Sequence, residues 1–174
     1  MDSTPKWVVD EKGNGAYEFN GSSNVISSGS ISIGTELTTC FWAKPYISTI
    51  KEMVLHGSVG GGSFELFQNS FATTLRGGGS SPAVYSMSDS LPINQWTFAC
   101  ASINGNQGKV YINGKLVNTG SVVTPLIINA PIHIGAYSDL RYCFNGIIDD
   151  VLIYNRVLSE DEIKYQYDMA KFKQ

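Results

Sequence analysis

Short apolar runs rich in Val, Ile, Thr, Tyr, Phe and Trp recur along the chain, parted by Gly- and Ser-rich stretches at intervals of about ten residues. That alternation is the pattern of strands and turns. Strands are predicted over residues 16–19, 37–45, 53–56, 63–68, 71–75, 96–103, 109–112, 115–118, 132–134 and 147–154. Short strands in such number with no helices between them predict an all-β fold, a sandwich of two antiparallel sheets.

Local signals refine this frame. Asn113-Gly114, set between Val110-Tyr111-Ile112 and Lys115-Leu116-Val117, predicts a tight hairpin, because both turn residues tolerate positive φ. Gly60-Gly61-Gly62 and the run from Gly77 to Pro82 read as loops. One helix is predicted, at 159–171. It opens on the capping box Ser159-Glu160-Asp161-Glu162, places Ile163, Tyr167 and Ala170 on one face, and has Lys171 and Lys173 near its end to suit the helix dipole. Residues 1–15 read as an N-terminal arm whose Trp7 packs on the sandwich or on a neighbouring subunit. With no repeat, linker or charge block, a single domain over 1–174 is expected.

Composition narrows the partners. Of 174 residues 43% are hydrophobic and 16% charged, a globular balance, and the net charge of -3 removes the basic footprint that nucleic acid or an anionic membrane surface requires. No run approaches the roughly 20 apolar residues of a membrane helix, so no membrane insertion is expected. The start Met-Asp-Ser-Thr-Pro-Lys-Trp lacks a signal-peptide layout. A cytosolic protein, a module of a secreted parent and a virion component therefore all stay open. Cys40, Cys100 and Cys143 allow at most one bridge and match no zinc spacing; Cys40 and Cys100, in apolar strand-like runs, read as free buried thiols.

The segment Phe144-Asn145-Gly146-Ile147-Ile148-Asp149-Asp150-Val151-Leu152-Ile153-Tyr154-Asn155-Arg156-Val157-Leu158-Ser159 resembles the closing strand and helix start of laminin G-like jelly roll domains in the concanavalin A-like lectin and glucanase superfamily. Ala16-Tyr17-Glu18-Phe19-Asn20-Gly21 resembles the opening strand and turn, and Thr39-Cys40-Phe41-Trp42-Ala43-Lys44-Pro45 an early core strand. Gln95-Trp96-Thr97-Phe98 through Asn113-Gly114 resembles the central hairpin. The resemblance spans residues 16 to about 165. It speaks to packing more than to function.

Strand alternation puts Asp149, Val151 and Ile153 on one face and Ile148, Asp150, Leu152 and Tyr154 on the other. With Val151 and Ile153 directed at the core, Asp149 becomes an inward carboxylate, costly unless paired, hydrogen-bonded or metal-bound. The resemblance implies a structural Ca2+ between the opening turn and the closing strand, with Asp149 as first ligand and oxygens from Asn20, Gly21 or nearby backbone completing the shell. Alternatively Asp149 accepts backbone amides of that turn, since Asn20 stands where the family often has Asp.

Glycoside cleavage would need two carboxyls flanking one bond, and the alternating acids of the glucanase branch are absent here. The acids at 160–162 are a helix start, and His56 and His133 read as satisfied structural histidines without a nucleophile motif beside them. No enzyme is expected. The leading expectation is a lectin-like, carbohydrate-binding module, working through an aromatic platform with convergent polar groups. Tyr46, His56, Arg76, Tyr85, Tyr137, Asp139, Arg141 and Tyr142 supply those types, and the run from Tyr137 to Tyr142 is foremost among them. Read blandly, that run is a loop with a local Asp139 to Arg141 pair. Trp42, Trp96 and Phe98 read as packing. The competing expectation is a structural or adhesive surface protein, such as a phage or viral decoration, that binds protein subunits. Both place the chain outside cells or on a virion surface. A face of exposed aromatics beside polar groups would favour the glycan, and a large contiguous apolar patch the subunit.

Overall fold

The computed structural model describes residues 3–9, 13–48, 51–56, 64–68, 73–77, 83–85, 91–122, 128–137 and 139–170. In chain order its elements are β1 (Lys6–Val9), β2 (Gly15–Asn20), β3 (Ile26–Ile33), β4 (Glu36–Pro45), β5 (Lys51–His56), β6 (Phe64–Gln68) and β7 (Thr73–Gly77). There follow β8 (Ala83–Tyr85), β9 (Thr97–Asn104), β10 (Gln107–Ile112), β11 (Lys115–Ser121), β12 (Ile128–Ile134), β13 (Asn145–Tyr154) and α1 (Glu160–Ala170). They form a seven-stranded sheet in the order β1-β2-β13-β4-β9-β10-β11 and a six-stranded sheet in the order β3-β12-β5-β6-β7-β8, paired antiparallel.

Every predicted strand overlaps an observed one, and three strands were not predicted. β1 lies inside the stretch read as an arm, β8 is three residues long, and β3 reads Ile-Ser-Ser-Gly-Ser-Ile-Ser-Ile, too polar to stand out. The facing sheets enclose Phe19, Leu37, Phe41, Ala99, Ala101, Ile103, Val110 and Ile148 on one side and Leu66 and Ile132 on the other. The outer face of the seven-stranded sheet is covered as well. There Cys40, Trp42, Phe98, Cys100 and Tyr111 pack beneath Leu158 and Ile163, with Tyr167 stacked on Trp42 at 5.7 Å. Buried on both faces, β4 and β9 carry near-continuous apolar runs, as such strands must.

Cys40 and Cys100 stand directly opposite each other on β4 and β9 and are joined by a disulfide, which corrects the expectation of free thiols. Their apolar surroundings were read correctly; the pairing depends on which strands are neighbours. Cys143 is free and buried. Asn113 and Gly114 form the hairpin turn with φ of 49° and 74°, and Asn113 Oδ1 also accepts the Phe98 amide, tying the turn to β9. The capping box is formed: the Ser159 amide donates to Glu162 Oε2 at 2.8 Å, and the Glu162 amide to Ser159 Oγ at 3.2 Å. The helix carries no basic residue in its last turn, and Lys171 and Lys173 lie outside the described residues, as do Gly60-Gly61-Gly62 and residues 78–82.

One irregularity decides the site. The pairing of β13 with β4 shifts register between Asp149 and Leu152, and Asp150 takes a φ of 45°. Ile148 faces the core before this bulge, and Val151 and Ile153 face it afterwards. An extra residue swaps the faces of a strand. Asp149 therefore does not share the inward face of Val151, contrary to simple alternation.

Candidate functional site

The β12–β13 connection holds the run from Tyr137 to Tyr142. It folds back on itself: the Leu140 amide donates to the Tyr137 carbonyl at 2.9 Å and the Tyr137 amide to the Arg141 carbonyl at 3.1 Å. Arg141 Nε donates to Asp139 Oδ2 at 2.7 Å, and the Arg141 amide to Asp139 Oδ1 at 3.2 Å. The loop's acid and guanidinium thus hold each other. Tyr137 is buried, while Tyr142, 44% exposed, meets it edge-on at 5.2 Å. Tyr46 packs at the same end of the sandwich. Its amide donates to the Asn145 carbonyl and its hydroxyl to Glu18 Oε1 at 2.8 Å; burial, then the Glu18 carboxylate, push its pKa up to about 12.

The other expected ligand residues are not gathered here. His56 pairs with Ile132, Arg76 with Glu65 and Ala83, and Tyr85 with Thr74. β7 and β8 lie three and four strands from β12 in the sheet, which is roughly 14 and 19 Å at the usual strand spacing. The side chains of His56, Arg76 and Tyr85 lie outside the described residues. His133 is half-buried, burial lowers its pKa, and its buried Nδ1 meets no hydrogen-bond partner among the described residues. It is therefore not the fully satisfied structural histidine expected.

The expected calcium ligands are also separated. Asn20 Oδ1 accepts the amides of Ser22, Ser23 and Asn24 at 2.9, 3.0 and 3.3 Å, and the Gly21 amide donates to the Phe144 carbonyl. The turn's side-chain oxygen is thus engaged by its own backbone. Asn20 pairs with Asn145, and Asp149 lies four residues farther along β13, about 13 Å away at the usual strand rise. Asp149 Oδ1 accepts the Asp150 amide at 2.8 Å. Among the described residues no three of His, Cys, Asp and Glu gather as a metal would need. Asp149, Asn20 and Gly21 do not fit one calcium shell.

What the bulge does build is a cleft of about 240 Å³ at the open side of the sandwich, lined by Trp7, Tyr17, Phe19, Ile148, Asp149 and Asp150 among others. Trp7 pairs with Tyr17 across β1 and β2, and their rings meet at 5.0 Å, close to perpendicular. The Trp7 indole lies flat on Gly15, where a Cβ would stand 1.8 Å from the ring, so this approach requires glycine. Deeper in, Phe19 and Ile148 belong to the core, so the floor is rigid and apolar. Trp7 and Tyr17 remain 57% and 39% exposed at the mouth. Two exposed aromatic faces and an apolar floor thus converge on one cavity, with Asp149 and Asp150 of the bulge at its β13 edge. Sequence reasoning did not find this site. Its one signal was the apolar run Trp7-Val8-Val9 before Gly13 and Gly15, in the stretch read as a packing arm, which pairs as β1 with β2.

Solved structures place this geometry among known folds. Domain 4 of AbnA, an extracellular arabinanase of Geobacillus stearothermophilus solved with arabinotriose, superposes with a TM-score of 0.79 at 23% identity, over 95% of this chain and 82% of that one. The heptameric SAP-like pentraxin of Limulus polyphemus gives 0.71 at 16% identity, over 84% and 78%. The CBM40 of the Ruminococcus gnavus IT-sialidase, solved with α2,3 sialyllactose, gives 0.64 at 15% identity, over 82% and 98%. No curated protein sequence matches. No helix among the described residues is long and apolar enough to cross a membrane. Because its residues 18–164 match the laminin G-type model of that group, the chain belongs to the concanavalin A-like lectin/glucanases superfamily.

Proposed function

We propose that the chain is a non-catalytic carbohydrate-binding module and that the cleft between Trp7, Tyr17, Asp149 and Asp150 holds the sugar. The observation that carries this reading is the exposed Trp7–Tyr17 pair at the mouth of a cavity with an apolar floor. A sugar ring has an apolar face and a girdle of hydroxyl donors. Indole and phenol rings match the first, and the Trp7 indole N–H and Tyr17 hydroxyl at the mouth can pair with the second. Asp149 and Asp150 are consecutive residues of one strand, whereas glycoside cleavage needs two carboxyls on either side of the scissile bond. The structural neighbours solved with arabinotriose and sialyllactose support the same class of ligand. The Cys40–Cys100 bridge favours an oxidising, extracellular setting.

The test is a titration of the protein with a panel of polysaccharides and oligosaccharides, read by tryptophan fluorescence and calorimetry, beside Trp7→Ala. Binding should weaken about tenfold or more in the variant, the usual cost of removing an aromatic anchor. Silence across the panel, together with a symmetric oligomer in light scattering, would transfer the exposed β1 edge to the competing role in subunit contact.

A further inference from the structure

We infer that the cleft selects a sugar residue bearing a methyl group, on a deoxy ring such as fucose or rhamnose or on an N-acetyl arm, over its fully hydroxylated counterpart. The inference rests on the binding role proposed for this cleft and names the class of sugar it takes. Its physical basis is the contrast between mouth and floor. Trp7 and Tyr17 stand at the mouth with their rings at 73°, a corner that meets the face and the edge of one sugar ring. The indole N–H and the phenol hydroxyl of the same two side chains pair with ring hydroxyls there.

Below them the lining changes character. Phe19 and Ile148 come from the seven-stranded sheet, and Ile26 and Ile134, which pair across β3 and β12, from the six-stranded one. Phe19 is seated against Gly135, where a Cβ would stand 2.3 Å from its ring, so the floor does not sink when a ligand enters. Phe19 and Ile148 are buried, whereas Ile26, Ile134 and Val151 pack on the core and keep part of their surface open. A methyl group lowered onto that open surface removes apolar area from water on both partners. A hydroxyl lowered onto it gives up water for side chains that offer neither donor nor acceptor. At about 240 Å³ the cleft is smaller than the roughly 300–1,000 Å³ typical of ligand pockets, so its occupant is one sugar ring, and the substituent that ring carries inward decides.

The experiment titrates matched methyl glycosides into the whole chain by calorimetry: D-fucose against D-galactose, L-rhamnose against L-mannose, and N-acetylglucosamine against glucose. Trp7→Ala, Ile134→Val and Ile134→Thr are measured beside it, their folds checked by circular dichroism; the two changes at Ile134 give side chains of one shape that differ by a hydroxyl. The expected result is a preference of about tenfold or more for the methyl-bearing member, kept in Ile134→Val and reduced severalfold in Ile134→Thr. A preference in the first two pairs assigns the methyl to the ring, and in the third to the acetamide. Equal or better binding of the hydroxylated members, lost in Trp7→Ala, overturns the methyl rule and leaves the carbohydrate reading in place. A preference equal in the two Ile134 variants moves the methyl off this floor and overturns the inference; should Ile134→Thr not fold, the matched pairs on the unaltered chain decide alone. No binding of any glycoside, with a fatty acid quenching Trp7 instead, overturns the carbohydrate reading itself.

Discussion

Gly15 and Trp7 are a matched pair. The indole lies where a side chain at position 15 would have to be, 1.8 Å from the place of a Cβ, and Trp7 itself stands 57% exposed on the edge strand β1. Gly15→Ala should therefore displace Trp7 and weaken glycan binding nearly as much as Trp7→Ala, while the melting temperature changes little. Full affinity in Gly15→Ala would show that the indole's seat does not matter to the ligand. Asp149 teaches a related lesson. Its residue type was singled out from sequence, but its face was misassigned because alternation was carried through a position that bulges. Asp is among the non-glycine residues that enter the left-handed region more readily, and this alone did not mark position 150 in advance.

The joint between β13 and α1 is held by charge. Arg156 donates to both oxygens of Glu162, at 2.6 and 3.0 Å, and the Ser159 amide donates to the same carboxylate. The Arg156 guanidinium first, and then the Ser159 amide, bring the Glu162 pKa down from 4.5 to about 2. A carboxyl whose folded pKa lies below its unfolded one contributes stability that is fully present above pH 4.5 and is lost as pH falls toward 2. Melting temperature should thus decline over that window, and Arg156→Ala should flatten the decline. An unchanged acid limb in the variant would mean that the exposed pair adds nothing. On the same face of the sheet, the Cys40–Cys100 bridge closes a separation of 60 residues. Replacing both cysteines by Ala should cost roughly 2–4 kcal/mol in denaturant unfolding, chiefly by freeing the unfolded chain. A loss under about 0.5 kcal/mol would show that strand pairing and the helix already fix this region.

Across the whole molecule, the two ends of the chain meet at the cleft: β1 and β2 supply its aromatics and β13 its inner wall of Ile148 and Val151. The opening turn and Asp149 lie too far apart along β13 to share an ion, so melting curves in calcium and in chelator should superimpose. A shift of several degrees, abolished by Asp149→Ala, would show that the two can be drawn together. The sandwich, the Asn113-Gly114 hairpin and the Ser159 capping box were legible in the sequence, because each is written by neighbours in the chain: period-two alternation, a dipeptide that accepts positive φ, and a side chain reaching three residues on. The weak strand β3 and the short β8 were not legible, since their pairing supplies what their composition lacks. By itself the sequence determined that the chain forms two facing antiparallel layers closed by a C-terminal helix. Only the tertiary structure decided which strands adjoin, which cysteines bridge and which face Asp149 presents. Those depend on contacts between distant segments and on one bulge that reverses a strand's faces, and neither leaves a local periodic trace.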